Sequence, residues 1–102
     1  MIDDEQAQLL SLKSFLKRRD YTVFTAESGK EGMKIIQETS IDLILTDFRM
    51  PDMNGLEVVK AVKAFNPSIP VIVITAFSDT AEAVQVMKEG AFDYLSKPVN
   101  LD

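Results

Sequence analysis

The 102-residue chain has no cysteine and no histidine, and only four glycines and four prolines. Without cysteine there is no disulfide, no thiolate metal site and no thiol nucleophile. Without histidine the commonest general base and metal ligand is also missing, which leaves carboxylates, hydroxyls and lysines to carry any chemistry. No apolar run approaches the length of a membrane span, and MIDDEQ at the amino end has no signal-peptide character. A cytoplasmic location with no membrane partner is therefore expected. Positive charge is in deficit, with 11 Lys and Arg against 16 Asp and Glu and a net charge of −5. That balance argues against direct binding of nucleic acid by this segment and suits a hard cation better.

What is present is the composition of one folded domain: 46% hydrophobic residues, 26% charged and no low-complexity tract. A chain of this length can bury roughly two-thirds of its unfolded surface in one modest core. From Glu5 to Arg19 the residues Leu9, Leu12 and Leu16, with Leu10 and Phe15, recur at helical spacing, and Asp4 is placed to cap the start. Lys17, Arg18 and Arg19 fall in the last turn, where cations oppose the negative end of the helix dipole. "YTVFTA" (21–26) reads as a strand, followed by a turn at Glu27-Ser28-Gly29. Ser28 with Glu31 forms a capping-box pattern, and Met33, Ile35 and Ile36 supply the apolar side of a helix ending near Ser40.

"IDLILT" (41–46) is the next strand, and its unbroken Leu43-Ile44-Leu45 predicts burial on both faces, as in a parallel sheet covered by helices. Leu56, Val58, Val59, Val62 and Phe65 mark a third helix, which must stop near Asn66-Pro67. "PVIVIT" (70–75) is the most apolar strand. Asp79 and Glu82 form a second capping-box-like pair, opening a helix through Val84, Val86 and Met87 that ends at Gly90. "FDYLS" (92–96) is a short last strand before Lys97-Pro98. Strict alternation of helix and strand predicts an α/β fold, a parallel sheet with helices on both faces, and right-handed crossovers then place every strand's C-terminal end on one edge.

On that edge the sequence places Asp3 and Asp4, then Asp47, then Thr75, then Lys97. Crowded carboxylates repel one another unless a cation neutralises them, and with oxygen ligands the cation expected is Mg²⁺. An aspartate beside Mg²⁺ can act as a nucleophile on phosphorus and form an acyl phosphate. Phosphoryl transfer asks mainly for alignment and for positive charge at the phosphoryl oxygens, which Mg²⁺ and Lys97 can supply while the Thr75 hydroxyl donates a hydrogen bond. In "ILTDFRMPDMNG" (44–55) the buried strand therefore fixes Asp47 at the edge, and the polar loop after it leaves a face open to a small phosphodonor. Met50-Pro51 and Asn54-Gly55 shape that loop and the start of the next helix, whereas the side chains of Arg49 and Met50 are read as variable and not contributing.

Taken together, "DDE" (3–5), "DFRMPDMNG" (47–55), "VIVITA" (71–76) and "GAFDYLSKP" (90–98) resemble the receiver domains of two-component response regulators, in order and spacing across nearly the whole chain. The resemblance implies a doubly wound sheet of strand order 2-1-3-4-5. It implies Asp47 as phosphoacceptor, Asp4 as a direct Mg²⁺ ligand, Asp3 as one acting through water, and the backbone carbonyl of Arg49 as a further ligand. It also implies Thr75 as the switch hydroxyl, Lys97 as the phosphate-sensing lysine, Tyr94 as the aromatic that changes rotamer, and a cis Lys97-Pro98 peptide. The partners implied are a sensor histidine kinase, an output domain or protein met through the fourth helix and fifth strand, and a second copy of the chain.

Against the family pattern, the first strand is here only Met1-Ile2, and only "VNLD" follows Pro98, where the family has its last helix. The expectation is one incomplete receiver domain over 1–102, with no output domain in this chain. It is a signalling module and not a turnover enzyme. Two alternatives stay open: a pseudo-receiver that binds partners without phosphate, and an aspartyl-nucleophile phosphatase. The phosphatase pattern usually has a second aspartate two positions after the nucleophile, where this chain has Arg49.

Overall fold

Local capping chemistry sets where the helices begin and end. The computed structural model describes residues 1–2, 13–75 and 80–96. Residues 13–18 are helical, and three further helices follow: α1 (Gly29–Glu38), α2 (Gly55–Phe65) and α3 (Thr80–Lys88). At α1 the Ser28 hydroxyl accepts from the Glu31 amide at 3.2 Å, but the Glu31 carboxylate accepts from the Glu27 amide, one residue before the expected partner. At α2 the box closes fully: Asn54 accepts from the Glu57 amide at 2.9 Å and Glu57 from the Asn54 amide at 3.1 Å. That helix stops at Asn66, ahead of Pro67. Beyond α3, Gly90 takes φ +105° while its amide bonds to Met87 and the Ala91 amide to Val86, the paired bonds of a Schellman motif that only glycine closes without strain.

Three parallel strands, β1 (Ile44–Asp47), β2 (Val71–Thr75) and β3 (Asp93–Ser96), form a sheet of order β1-β2-β3. On the far side of β1 lies Ile2, which bridges both Thr46 and Ala26. Its amide donates to the Leu45 carbonyl at 2.8 Å and its carbonyl accepts from the Asp47 amide at 2.8 Å, while the Ala26 amide reaches Met1 at 2.9 Å. The spatial order is thus the segment ending at Ala26, then Met1-Ile2, β1, β2 and β3, as the expected order 2-1-3-4-5 requires.

Two sequence expectations are corrected here. "YTVFTA" forms no strand beyond the single bridge at Ala26, because a strand exists only through its pairing and Met1-Ile2 offers just one position to pair with. Leu43 is 47% exposed and lies before β1 begins, and within β1 the buried Ile44 and Thr46 alternate with the half-buried Leu45 and Asp47, so one face is buried and the other only partly covered. The first helix's residues before 13, Asp79 of the second capping pair and the Lys97-Pro98 peptide lie outside the described residues.

Val58, Val59 and Val62 of α2, Val71 and Val73 of β2 and Val86 of α3 are all fully buried in one cluster, with Ile36, Ile44 and Ile2 alongside. Each buried valine contributes about 1.5–3 kcal/mol, and the shared shape of these β-branched residues lets α2 seat between β1, β2, α1 and α3. A groove of about 1070 Å³, lined by Phe15, Phe24, Ile35, Leu43 and Leu45 among others, opens beside Met1-Ile2 and includes none of Asp47, Thr75 or Tyr94. Among the described residues no helix is long and apolar enough to cross a membrane.

Candidate functional site

Asp47 ends β1 and is half-buried, with its Oδ1 accepting from the Phe48 amide at 2.8 Å. The preceding Thr46 is buried, and its hydroxyl donates to the Asp47 carbonyl at 3.0 Å. The buried Thr46 and the bond from the Asp47 amide to the Ile2 carbonyl at 2.8 Å therefore hold the aspartate backbone while its side chain emerges at the edge. Asp47 is the register partner of Ile74 one strand spacing away, so Thr75, the next residue and the end of β2, stands diagonally across from it at the same edge. Thr75 is fully buried, and no described buried side-chain nitrogen or oxygen lacks a hydrogen-bond partner.

Tyr94 lies in β3 opposite Val73 and packs its half-buried ring against the core. Ser96, the partner of Thr75 in the register, is the last described residue before Lys97. Ile2, bonded to Asp47, is the last before Asp3. Asp3, Asp4 and Lys97 themselves lie outside the described residues. The structure thus brings Asp47, Thr75 and Arg49 to one edge with Tyr94 on the adjoining strand.

Oxygen is the donor this edge offers. The Asp47 carboxylate and nearby peptide carbonyls are hard ligands of the kind a divalent cation such as Mg²⁺ takes, and the chain contains no imidazole or thiolate to select a softer metal. Among the described residues no cluster of three acidic, histidine or cysteine groups forms.

The loop from 48 to 54 is tied down at several points. The Gly55 amide closes it on the Phe48 carbonyl at 2.7 Å, and the Asn54 capping box fixes its end. Asp52 reaches across to α1, accepting from the Gly29 amide at 3.0 Å and the Lys30 amide at 2.9 Å. These bonds, that from Lys30 foremost, hold the Asp52 carboxyl below its ordinary range, since they favour the charged form at a helix's positive end. Beside it Met53 packs so closely on Gly29 that a Cβ there would lie 2.7 Å from the Met53 Cβ.

The sequence reading missed Asp52, and the signal that could have found it is weak: an aspartate in a Pro/Gly loop is ordinarily a turn former. Asp52→Ala is expected to lower the melting temperature at neutral pH. The effect is present above the ordinary carboxyl pKa and fades as pH falls through the depressed folded value, so melts of the two chains compared across the acid range check it.

Arg49 departs from expectation. Its guanidinium Nη2 meets Glu82 Oε1 at 3.3 Å, and the Tyr94 hydroxyl donates to Glu82 Oε2 at 3.0 Å. A side chain read as idle therefore joins α3 and β3 to the Asp47 loop. No spacing rule reveals this, because Arg49 and Glu82 are 33 residues apart.

A family model for the response regulator receiver domain matches residues 1–102. The chain is 40% identical over 102 residues to the transcriptional regulatory protein ZraR of Klebsiella oxytoca, covering all of this chain and 23% of that protein. It spans under a quarter of the length of such curated relatives. Among solved structures, a receiver domain protein from Clostridium thermocellum superposes with a TM-score of 0.92 at 40% identity, covering 98% of this chain and 81% of that one. A response regulator from Burkholderia pseudomallei, solved with a phosphorylated aspartic acid, a calcium ion and citrate, gives a TM-score of 0.92 at 31% identity, with 98% and 59% covered.

Proposed function

The chain belongs to the response regulator receiver domain family, and from that premise we propose that it is a cytoplasmic phosphorylation switch in which Asp47 accepts a phosphoryl group from a sensor histidine kinase. The observation that carries this reading is Asp47 at the end of β1, one register position from Thr75 at the end of β2. In the reaction an Asp47 carboxylate oxygen forms the new bond to phosphorus, while the bond from phosphorus to the donor's imidazole nitrogen, or to the acyl oxygen of a donor such as acetyl phosphate, breaks.

The oxygen donors fit Mg²⁺, which Asp3, Asp4, Asp47 and the Arg49 carbonyl would hold and which would supply positive charge against the phosphoryl oxygens. The bonds that fix residues 48–54 pre-align the acceptor, and Lys97 adds a second positive charge. The Thr75 hydroxyl exchanges its resting partner for a phosphoryl oxygen, and Tyr94 then turns inward. The remodelled surface is that of α3 and β3, where Val84, Met87, Phe92 and Leu95 are exposed apolar residues suited to an output domain, a protein partner or a second copy of the chain. The output controlled is transcription, as the ZraR likeness supports. The module contributes to its own phosphorylation without turning over as an enzyme.

An amide ¹H–¹⁵N spectrum titrated with Mg²⁺ and then beryllofluoride, a mimic of an acyl phosphate, tests this. Resonances around Asp47, Thr75 and Lys97 are expected to move when both are present. A dispersed spectrum that ignores both would identify a pseudo-receiver instead.

A further inference from the structure

One carboxylate connects three elements at the edge. Glu82, in the first turn of α3, accepts from the Tyr94 hydroxyl of β3 at 3.0 Å and from the Arg49 guanidinium of the 48–54 loop at 3.3 Å, using a different oxygen for each. Its side chain is 17% exposed, whereas that of Arg49 is 56% exposed. The tyrosine end of this chain of contacts is thus sheltered and the arginine end is open to exchange.

We propose that Glu82 is a positioning residue that couples phosphorylation of Asp47 to Tyr94. In the resting state its carboxylate holds the Tyr94 ring through the hydroxyl while Arg49 neutralises it. Arg49 stands two residues after Asp47 on a loop pinned by Asp52 and Asn54, and its own side chain is exposed. A phosphoryl group on Asp47 presents three acceptor oxygens and about −1.5 to −2 charge to the same guanidinium, and outcompetes one carboxylate oxygen at 3.3 Å. With the guanidinium drawn away, the half-buried carboxylate loses the charge that Arg49 supplies and holds the Tyr94 hydroxyl less firmly. The inference rests on the phosphoacceptor reading above and adds to it the residue that holds the aromatic in its resting place.

The chain's two tyrosines allow a direct test. With 3-fluorotyrosine incorporated, ¹⁹F spectra give one resonance for Tyr94 and one for Tyr21, which is 63% exposed and serves as the internal reference. Spectra are recorded before and after treatment with acetyl phosphate and Mg²⁺, with uptake read by intact mass. In the wild-type chain the Tyr94 resonance moves on phosphorylation and that of Tyr21 does not. In unphosphorylated E82A the Tyr94 resonance is expected to lie already displaced toward the phosphorylated position, with less than half of the wild-type shift remaining. R49A moves it the same way, and R49K, which keeps the charge, restores the resting position. E82Q keeps an oxygen for the tyrosine but no charge for Arg49, so its resting position stays near wild type while the phosphorylation-dependent shift shrinks.

Uptake with a Tyr94 resonance that E82A leaves at the wild-type position in both states overturns the role of Glu82 alone. A folded wild-type chain that takes up no phosphoryl group overturns the proposed function and the coupling with it.

Discussion

Asp47→Asn is expected to abolish phosphoryl uptake altogether while leaving the fold intact. The amide nitrogen that replaces one carboxylate oxygen carries no negative charge and no free nucleophilic pair, so the remaining groups at the edge have nothing to align against phosphorus. The side-chain carbonyl oxygen of the variant can still accept from the Phe48 amide, the bond that Asp47 Oδ1 makes at 2.8 Å, and the backbone bond to Ile2 is untouched. Intact mass after acetyl phosphate and Mg²⁺ should show one added phosphoryl group on the wild-type chain and none on the variant, with closely matching thermal melts. Equal uptake by both chains would move the acceptor away from β1. Thr75→Ala makes a useful contrast, because it removes a hydrogen-bond donor and not the acceptor: uptake should persist while the change at Tyr94 weakens.

Between pH 6 and pH 8 a chain beginning at Met1 is expected to gain stability as pH rises. The Met1 amine sits between Ala26 and β1 and donates to the Phe24 carbonyl at 2.9 Å, and burial lowers its pKa from 8.0 to about 6. Desolvation disfavours the charged amine in the folded state only. Across this window the unfolded chain therefore binds more protons than the folded one, so stability rises with pH: it is full above about pH 8 and is lost as pH falls through about 6. At about 1.4 kcal/mol per pKa unit the whole effect of this two-unit shift is about 3 kcal/mol, or on the order of 15 °C in melting temperature for a domain of this size. The window is clean because the chain has no histidine to titrate in it. Melts at either end of the window check the slope, and acetylation of the amine should flatten it, since an acetylated nitrogen can still donate to Phe24 yet carries no charge. A slope that survives acetylation would assign the effect to another group.

Much of the fold is written in local spacing. The valines at 58, 59 and 62 and at 71 and 73 carry the periods of a helix and a strand, and both elements stand within a residue or two of where those periods place them. Ser28, Asn54 and Gly90 mark ends through bonds that span no more than five residues. The 21–26 segment shows where local reading fails, since its β-branched and aromatic residues carry strand propensity while the ladder depends on a neighbour elsewhere in the chain.

The site divides in the same way. The sequence alone determined Asp47 and Thr75 at the ends of two apolar strands and hence at one edge, because parallel strands joined by right-handed crossovers must align their C-terminal ends. Only the tertiary structure decided that Asp52 clasps the Gly29 and Lys30 amides, that Arg49 meets Glu82, and that Glu82 holds Tyr94. Those contacts join residues 12 to 33 positions apart and depend on how α1, α2 and α3 seat against the sheet. The difference is physical: a cap or a strand end is set by bonds within one turn or one ladder, whereas a long polar side chain on the surface finds its partner only after packing of the buried valines has fixed the distance between elements.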